Sequence, residues 1–288
     1  MNTIGLVVNS NKGNVSEPVS KVVDWLNQQN IKVLFNQESA ALLGRRGEGM
    51  PTWELAQQCD CIMVWGGDGT LLNCARQTAA TGTPIFGVNL GRLGFLTEID
   101  MPDLRHKMQA LIAGHYYIEE RMMLQTTVLR QDEIIDRALC LNDAVVAKGS
   151  SFRMARLNIK VNQQFVGAFA ADGVIIASPT GSTAYSLSAG GPIVTPEVQV
   201  MLITPICPHS LANRSIVIAP DSVVEVEVLP CVEDVHLNLD GQYSFPLRAG
   251  DKVVVKKASV KARFLKIHKT SFFAVLREKL KEWQQGLD

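Results

Sequence analysis

The densest candidate chemistry in the chain is Gly66-Gly67-Asp68-Gly69-Thr70, a carboxylate set among glycines directly after the apolar run Cys61 to Trp65 and directly before Leu71 to Ala80, a good helix former. Strand, glycine turn and helix together make an anion-binding arrangement. The glycines allow unusual backbone angles and close approach, while free N–H groups and the helix dipole favour phosphate. A carboxylate there would repel a phosphate unless it holds Mg²⁺ or takes the proton from an attacking hydroxyl, and both are tasks of phosphoryl transfer. The loop therefore points to transfer onto an alcohol, with Asp68 at its centre. The alternative is a tight βα turn in which Asp68 only caps the helix. Other phosphate loops are missing. The chain has no G-x-x-x-x-G-K-[ST], and Gly67-Asp68-Gly69 is not continued by the third glycine of a dinucleotide fingerprint.

A second segment, Asp172 to Pro192, carries a strand (Gly173 to Ala177) into the run Ser178-Pro179-Thr180-Gly181-Ser182-Thr183-Ala184-Tyr185-Ser186-Leu187-Ser188. Small hydroxyls and exposed amides suit a polar ligand with ribose and pyrophosphate groups, and Tyr185 can pack against a base or ring. A Ser/Thr-rich loop without a ligand is the competing reading. Asn142-Asp143 ends an apolar run and offers an amide and a carboxylate for an adenine edge and a ribose diol; plain Asx turns are the alternative. Asn9 to Asn14, with Lys12 and Gly13 after the first strand, is either a further phosphate cradle or a solvated turn.

The elements that must position these groups follow two patterns. Ile4 to Val8, Ile31 to Phe35, Cys61 to Trp65 and Pro84 to Val88 read as strands, and Val19, Val22, Val23 and Leu26 mark one face of an intervening helix. Fully apolar strands suit a sheet covered on both faces. An open, mostly parallel α/β lobe over 1–114 is expected, with nucleotides favouring the carboxyl ends of its strands. From about Tyr116 short β-type runs take over: Gln125 to Arg130, Leu157 to Val161, Gly173 to Ala177, Ser215 to Ala219 and Val223 to Leu229. Turn signals at Asn162-Gln163-Gln164 and Asp240-Gly241 separate them, predicting a β-sandwich-like lobe over 115–268. Phe273, Leu276, Leu280 and Trp283 form the stripe of a C-terminal helix over 269–288, covering either the α/β lobe or the β lobe.

Composition bounds the class. With 28 basic and 28 acidic residues the formal net charge is zero, so no global basic field is present to collect nucleic acid. No run approaches the roughly 18 apolar residues of a membrane span. The six cysteines are scattered without C-x-x-C spacing, which fits free thiols in a reducing compartment better than a zinc site. Met1 to Val8 lacks a basic n-region, so no secretory leader is expected and the cytoplasm is the expected location.

Gly66 to Thr70, Asn142-Asp143 and Gly181 to Pro192 occur in the order and setting of the NAD kinase family, which the chain resembles across nearly its whole length. The glycine loop alone is shared with diacylglycerol, sphingosine and phosphofructokinases; the Gly181 to Pro192 motif is specific. The resemblance implies ATP-dependent phosphorylation of the adenosine ribose 2′-hydroxyl of NAD, with Asp68 as general base and a divalent ion, Mg²⁺, arriving with ATP. It implies that Asn142 and Asp143 grip the adenosine end. Asp68, Gly69, Asp172, Thr183, Ala184, Tyr185, Ser186, Leu187, Ser188 and Gln242 would line the dinucleotide pocket. It also implies an α/β lobe plus a β-sandwich lobe and a homo-oligomer, dimer or tetramer. No metal ligands are identified. The chain departs from many members in having Asn142-Asp143 for Asn-Glu, and small Ala170 and Ala171 where relatives carry bulkier groups. His209, in Pro208-His209-Ser210-Leu211, resembles another family segment and is left outside catalysis.

Two rivals remain open from sequence. A lipid or sugar kinase would use the same glycine loop, but the Thr183 to Pro192 segment speaks against it, as does the lack of an apolar or basic membrane-facing stretch. A non-catalytic dinucleotide sensor would bind NAD through the same pocket, and retention of Asp68 argues against it.

Overall fold

The computed structural model describes residues 1–10, 15–90, 94–97, 99–150, 153–209, 214–230, 234–267 and 271–285. The chain divides into two compact units, one of residues 1–120 with 262–288 and the other of residues 121–261.

In the first unit β1 (Thr3–Val8), α1 (Ser16–Gln28), β2 (Lys32–Asn36), α2 (Gln37–Leu42), β3 (Gly49–Met50), α3 (Thr52–Gln58), β4 (Cys61–Gly66), α4 (Asp68–Thr78), β5 (Ile85–Asn89), β6 (Ile99–Asp100) and α5 (Leu104–Ile112) alternate strand with helix. The strands pair in parallel, with β1 between β2 and β4 and with β5 beyond β4: Leu6 faces Phe35 on one side and Met63 on the other. All residues of β4 are buried, as a strand covered by helices on both faces requires. Val19, Val23 and Leu26 of α1 are buried as their spacing predicts. Burial also pushes the Cys59 thiol up to about 12, so it sits there as a small hydrophobe rather than a nucleophile.

One boundary differs from the sequence expectation, and it matters for the site. The helix starts at Asp68 and not at Leu71, because extended Gly67 (φ −105°) is its N-cap and the Thr70 N–H already bonds the Gly67 carbonyl at 3.0 Å. Gly67 is thus the single residue between β4 and α4, and Asp68 opens the first helical turn.

The second unit is antiparallel. Its strands begin in β7 (Tyr117–Arg130) and β8 (Glu133–Cys140), a hairpin, and continue through β9 (Asp143–Lys148), β10 (Ala155–Val161), β11 (Gln164–Ala171), β12 (Gly173–Ala177), β13 (Met201–Ile206), β14 (Ile216–Ile218), β15 (Val223–Val228), β16 (Val235–Leu239), β17 (Tyr243–Leu247) and β18 (Lys252–Lys266). One sheet places β10 between β11 and β15, with β18 next; the other runs β14-β13-β12-β9-β16-β17. Leu157, Val226 and Val253 from the first sheet and Val146, Ile176 and Leu237 from the second share one core, which is sandwich packing. Asn162 and Gln163 (φ 50° and 67°) make the two-residue β10–β11 turn with the left-handed pair such hairpins favour, and Asp240 and Gly241 (φ 52° and 66°) begin the three-residue β16–β17 loop. The Ser178 to Ser188 stretch is more ordered than its composition suggested: a 3₁₀ turn over Thr180–Thr183 precedes a short helix, α6 (Tyr185–Ser188).

The chain then closes in the first unit. Phe264, near the end of β18, pairs with Ile85, and α7 (Phe272–Gln285) follows. Of the expected stripe, Leu276 is half-buried whereas Phe273 and Leu280 are exposed; the Trp283 side chain lies outside the described residues.

Candidate active site

The Gly66-Gly67 step is tight for a packing reason. A Cβ on Gly66 would fall 2.7 Å from Thr70 Cβ, so only glycine lets the helix begin this close to the strand. Thr70 Oγ1 accepts from Asn9 Nδ2 at 3.1 Å, and the Asn9 N–H donates to the Trp65 carbonyl at 2.9 Å. Residues 11–14 of the expected Asn9 to Asn14 cradle lie outside the described residues.

Asp68 does not cap its helix. Its Oδ2 accepts the Phe95 N–H at 2.8 Å and its Oδ1 the Leu96 N–H at 3.1 Å. The carboxylate is half-buried, and Gly69 beside it is exposed in the first turn of α4. Each oxygen keeps lone-pair capacity beyond the N–H it accepts, since an ionised carboxylate offers about four acceptor sites. The result is a fixed, partly reachable carboxylate at a helix N-terminus.

The remaining candidates belong to the second unit. Register sets Asp143 of β9 opposite Ala177 of β12, and Leu239 of β16 opposite Ala144. One end of this sheet therefore gathers Asn142 and Asp143, the start of the Ser178 to Ser188 segment, and Gln242, whose N–H bonds the Leu239 carbonyl at 2.9 Å. The Asn142 backbone is held from two sides. Its carbonyl accepts from Ser178 N at 2.8 Å, and its N–H donates to Asp240 Oδ1 at 2.7 Å. The Asn142 Oδ1 is buried without a donor, an amide acceptor awaiting an N–H.

Asp143 is buried, and burial together with the Asp240 charge pushes its carboxyl up to about 7. Asp172 precedes β12, at the other end of that strand, where Lys148 Nζ holds its Oδ1 at 2.7 Å. Tyr185 is an exposed residue whose phenol is pushed up by burial and by the charges of Cys207, Asp172 and Asp143. Thr183, Ala184, Leu187 and Ser188 are at least partly open around it. Ser186 is fully buried and shares a 3.0 Å hydrogen bond with Thr204, so its hydroxyl mounts α6 instead of reaching outward.

Comparison with known proteins decides the family. The model of the ATP-NAD kinase N-terminal domain matches residues 4–116 and that of the ATP-NAD kinase C-terminal domain matches residues 141–267. The NAD kinase of Desulforamulus reducens is 72% identical over 288 residues, covering 100% of both chains. The chain belongs to the NAD kinase family. Another NAD kinase, from a Thermoanaerobacter species, is 44% identical over 282 residues, 98% of this chain and 100% of its own. Among solved structures, yeast NADH kinase complexed with NADH superposes with TM-score 0.90 at 24% identity, covering 98% of this chain and 88% of that one. The Archaeoglobus fulgidus NAD kinase in complex with ATP gives TM-score 0.77 at 24% identity, covering 97% and 98%. At that identity these structures speak to the fold.

Sequence reasoning missed Asp240, Lys148 and the Gly94 to Leu96 segment. Asp240 stood in the sequence only as half of an Asp-Gly turn. Lys148 sat at the end of an apolar strand with no sign of its partner. Among the described residues no three His, Cys, Asp or Glu side chains gather as a metal cage, and no helix is long and apolar enough to cross a membrane. Of the Pro208 to Leu211 segment, exposed His209 donates its N–H to the Ala170 carbonyl at 3.0 Å, while Ser210 and Leu211 lie outside the described residues.

Proposed function

We propose that this NAD kinase converts NAD to NADP by in-line transfer of the ATP γ-phosphate, with Asp68 taking the proton of the adenosine ribose 2′-hydroxyl. The observation that carries the assignment is the fixed Asp68 carboxylate, half-buried at the start of α4 and held by the Phe95 and Leu96 N–H groups. A general base must be both oriented and reachable, and positioning supplies most of the rate in phosphoryl transfer. Amides at the start of α4 favour the phosphate charge beside it.

The same reading gives the second unit the acceptor. Asn142 Oδ1 needs an N–H donor, which an adenine amino group provides. Asp143 accepts from the ribose diol, and Asp172, Gln242 and the open residues of the Thr183 to Ser188 segment are the further contacts in that unit, while Gly69 stands beside Asp68 in the first unit. Mg²⁺ would arrive as part of the ATP substrate and would neutralise phosphate charge there. A cytoplasmic homo-oligomer completes the proposal; free thiols at Cys59, Cys61, Cys74, Cys140 and Cys207 support the reducing compartment.

The test is NADP formation from Mg²⁺-ATP and NAD, read by an NADP-specific dehydrogenase, with Asp68→Asn in parallel. The variant is expected to keep NAD affinity and lose on the order of 10²- to 10⁴-fold in turnover. Normal turnover in Asp68→Asn would reduce Asp68 to a loop anchor. Binding of NAD by wild type without product would instead favour a sensor.

A further inference from the structure

The carboxylate of Asp68 is held by a segment that the expected active-site residues do not include. Phe95 N–H and Leu96 N–H each take one of its oxygens, at 2.8 and 3.1 Å. The segment is itself braced, because the Gly94 N–H donates to Thr97 Oγ1 at 2.9 Å and Thr97 is buried. Gly94 packs so closely that a Cβ there would overlap the Asp68 carboxylate, although its φ lies outside the left-handed region. Glycine is required here for space and not for backbone conformation. On the other side of the loop the Phe95 ring meets Phe272, the first residue of α7, at 6.3 Å between centroids, and Phe272 meets Phe273 edge-on at 5.5 Å.

We infer that Gly94 and Phe272 are positioning residues for the phosphoryl transfer: the C-terminal helix, through Phe272 and Phe95, sets the loop whose two amides aim Asp68. The inference rests on the reading of Asp68 as the base. Two N–H groups taking one oxygen each fix the carboxylate's rotation, which a single donor would leave free. They also explain why an Asp at a helix N-terminus forgoes its own helix amides. α7 thereby has a task beyond covering apolar surface. Its first turn carries the aromatic that meets the loop, while Phe273 stays 65% exposed.

The test uses the full-length enzyme and separates kcat from KM. Gly94→Ala drives a methyl into the carboxylate and is expected to lower kcat by about 10²-fold, the cost of a misplacement of about 1 Å. The KM values for NAD and ATP should stay within about threefold, since the group displaced is the Asp68 carboxylate, whose replacement in Asp68→Asn is likewise expected to spare NAD affinity. Phe272→Ala should lower kcat by about 3- to 10-fold, in line with loss of one aromatic pair, and Phe272→Leu should restore most of it. Hydrogen exchange at the Phe95 and Leu96 amides gives a readout independent of turnover: both should exchange at least about tenfold faster in Asp68→Ala and in Phe272→Ala. Unchanged kcat in Gly94→Ala and Phe272→Ala beside an inactive Asp68→Asn would overturn the positioning role and leave the base in place. A KM effect, or a kcat loss tracking a lower melting temperature without rescue by Leu, would also overturn it. Full turnover in Asp68→Asn would remove the base itself, and the positioning role with it.

Discussion

Asp240 and Asp143 are two carboxylates that the fold forces together, since Asp240 Oδ1 accepts the Asp143 N–H at 3.2 Å and the Asp143 carbonyl accepts the Asp240 N–H at 3.1 Å. The Asp240 carboxylate also takes the N–H groups of Leu141 at 3.0 Å and Asn142 at 2.7 Å. It thus fastens the turn that delivers Asn142 and Asp143, and it does so inside the protein, at 8% exposure. The neighbouring Asp143 then bears the consequence.

Burial and the Asp240 charge raise the Asp143 carboxyl from 3.8 to about 7. Between those values the folded protein keeps a proton that the unfolded chain has released, so stability falls as pH rises through that window and levels off above it. The loss should be on the order of 4 kcal/mol across the window. Urea unfolding at several pH values from 4.5 to about 8 checks this, and Asp143→Asn should flatten the difference. An equal slope in the variant would assign the effect to other groups. If the ribose diol donates to the ionised form, NAD affinity should rise over the same window in wild type and lose that rise in Asp143→Asn.

Much of the fold could be read from sequence because its signals are local. β4 and β12 announce themselves as unbroken apolar runs, and the Asn162-Gln163 and Asp240-Gly241 turns as residues that tolerate positive φ. The return of the chain through Phe264 and Ile85 could not be read, because strand pairing at that separation leaves no periodic trace. At the site the asymmetry is the same. Asp68 was conspicuous as a carboxylate out of place among glycines, yet its partners are backbone amides of Phe95 and Leu96, and an amide has no sequence signature. Asp240 was hidden for the converse reason: an Asp before Gly is what an ordinary hairpin turn uses, so its second task left no separate mark.

Gly181 should prove as essential to the proposed acceptor site as any side chain in it. A Cβ there would fall 2.8 Å from Asn142 Cα and closer still to its carbonyl, and that carbonyl already serves Ser178 N. Gly181→Ala must therefore push Asn142 and the 3₁₀ turn apart. The expected result is a rise in the NAD KM of about 10-fold or more, with a stability cost of about 1–3 kcal/mol, the usual range for overpacking. Steady-state kinetics with NAD varied at saturating ATP measures it; an unchanged KM would mean that the Asn142 amide is not a dinucleotide contact.

Arg130 and Asp251 offer a contrast, a strong interaction that should matter for stability alone. Arg130 Nε and Nη2 reach Asp251 Oδ1 and Oδ2 at 2.9 and 2.7 Å, and the Arg248 N–H adds a third bond at 2.8 Å. Asp251 is 1% exposed. In the β7–β8 hairpin Leu124 pairs with Cys140 near Asn142, whereas Arg130 pairs with Glu133 at the far tip, about 20 Å along the strand. Asp251→Ala leaves a guanidinium and a backbone N–H without their acceptor, so the thermal midpoint should fall on the order of 10 °C. Turnover and both KM values measured well below that midpoint should stay within about twofold, because the hairpin base near Asn142 keeps its own pairing. A selective rise in the NAD KM would show instead that the strain travels the length of β7 to the acceptor site.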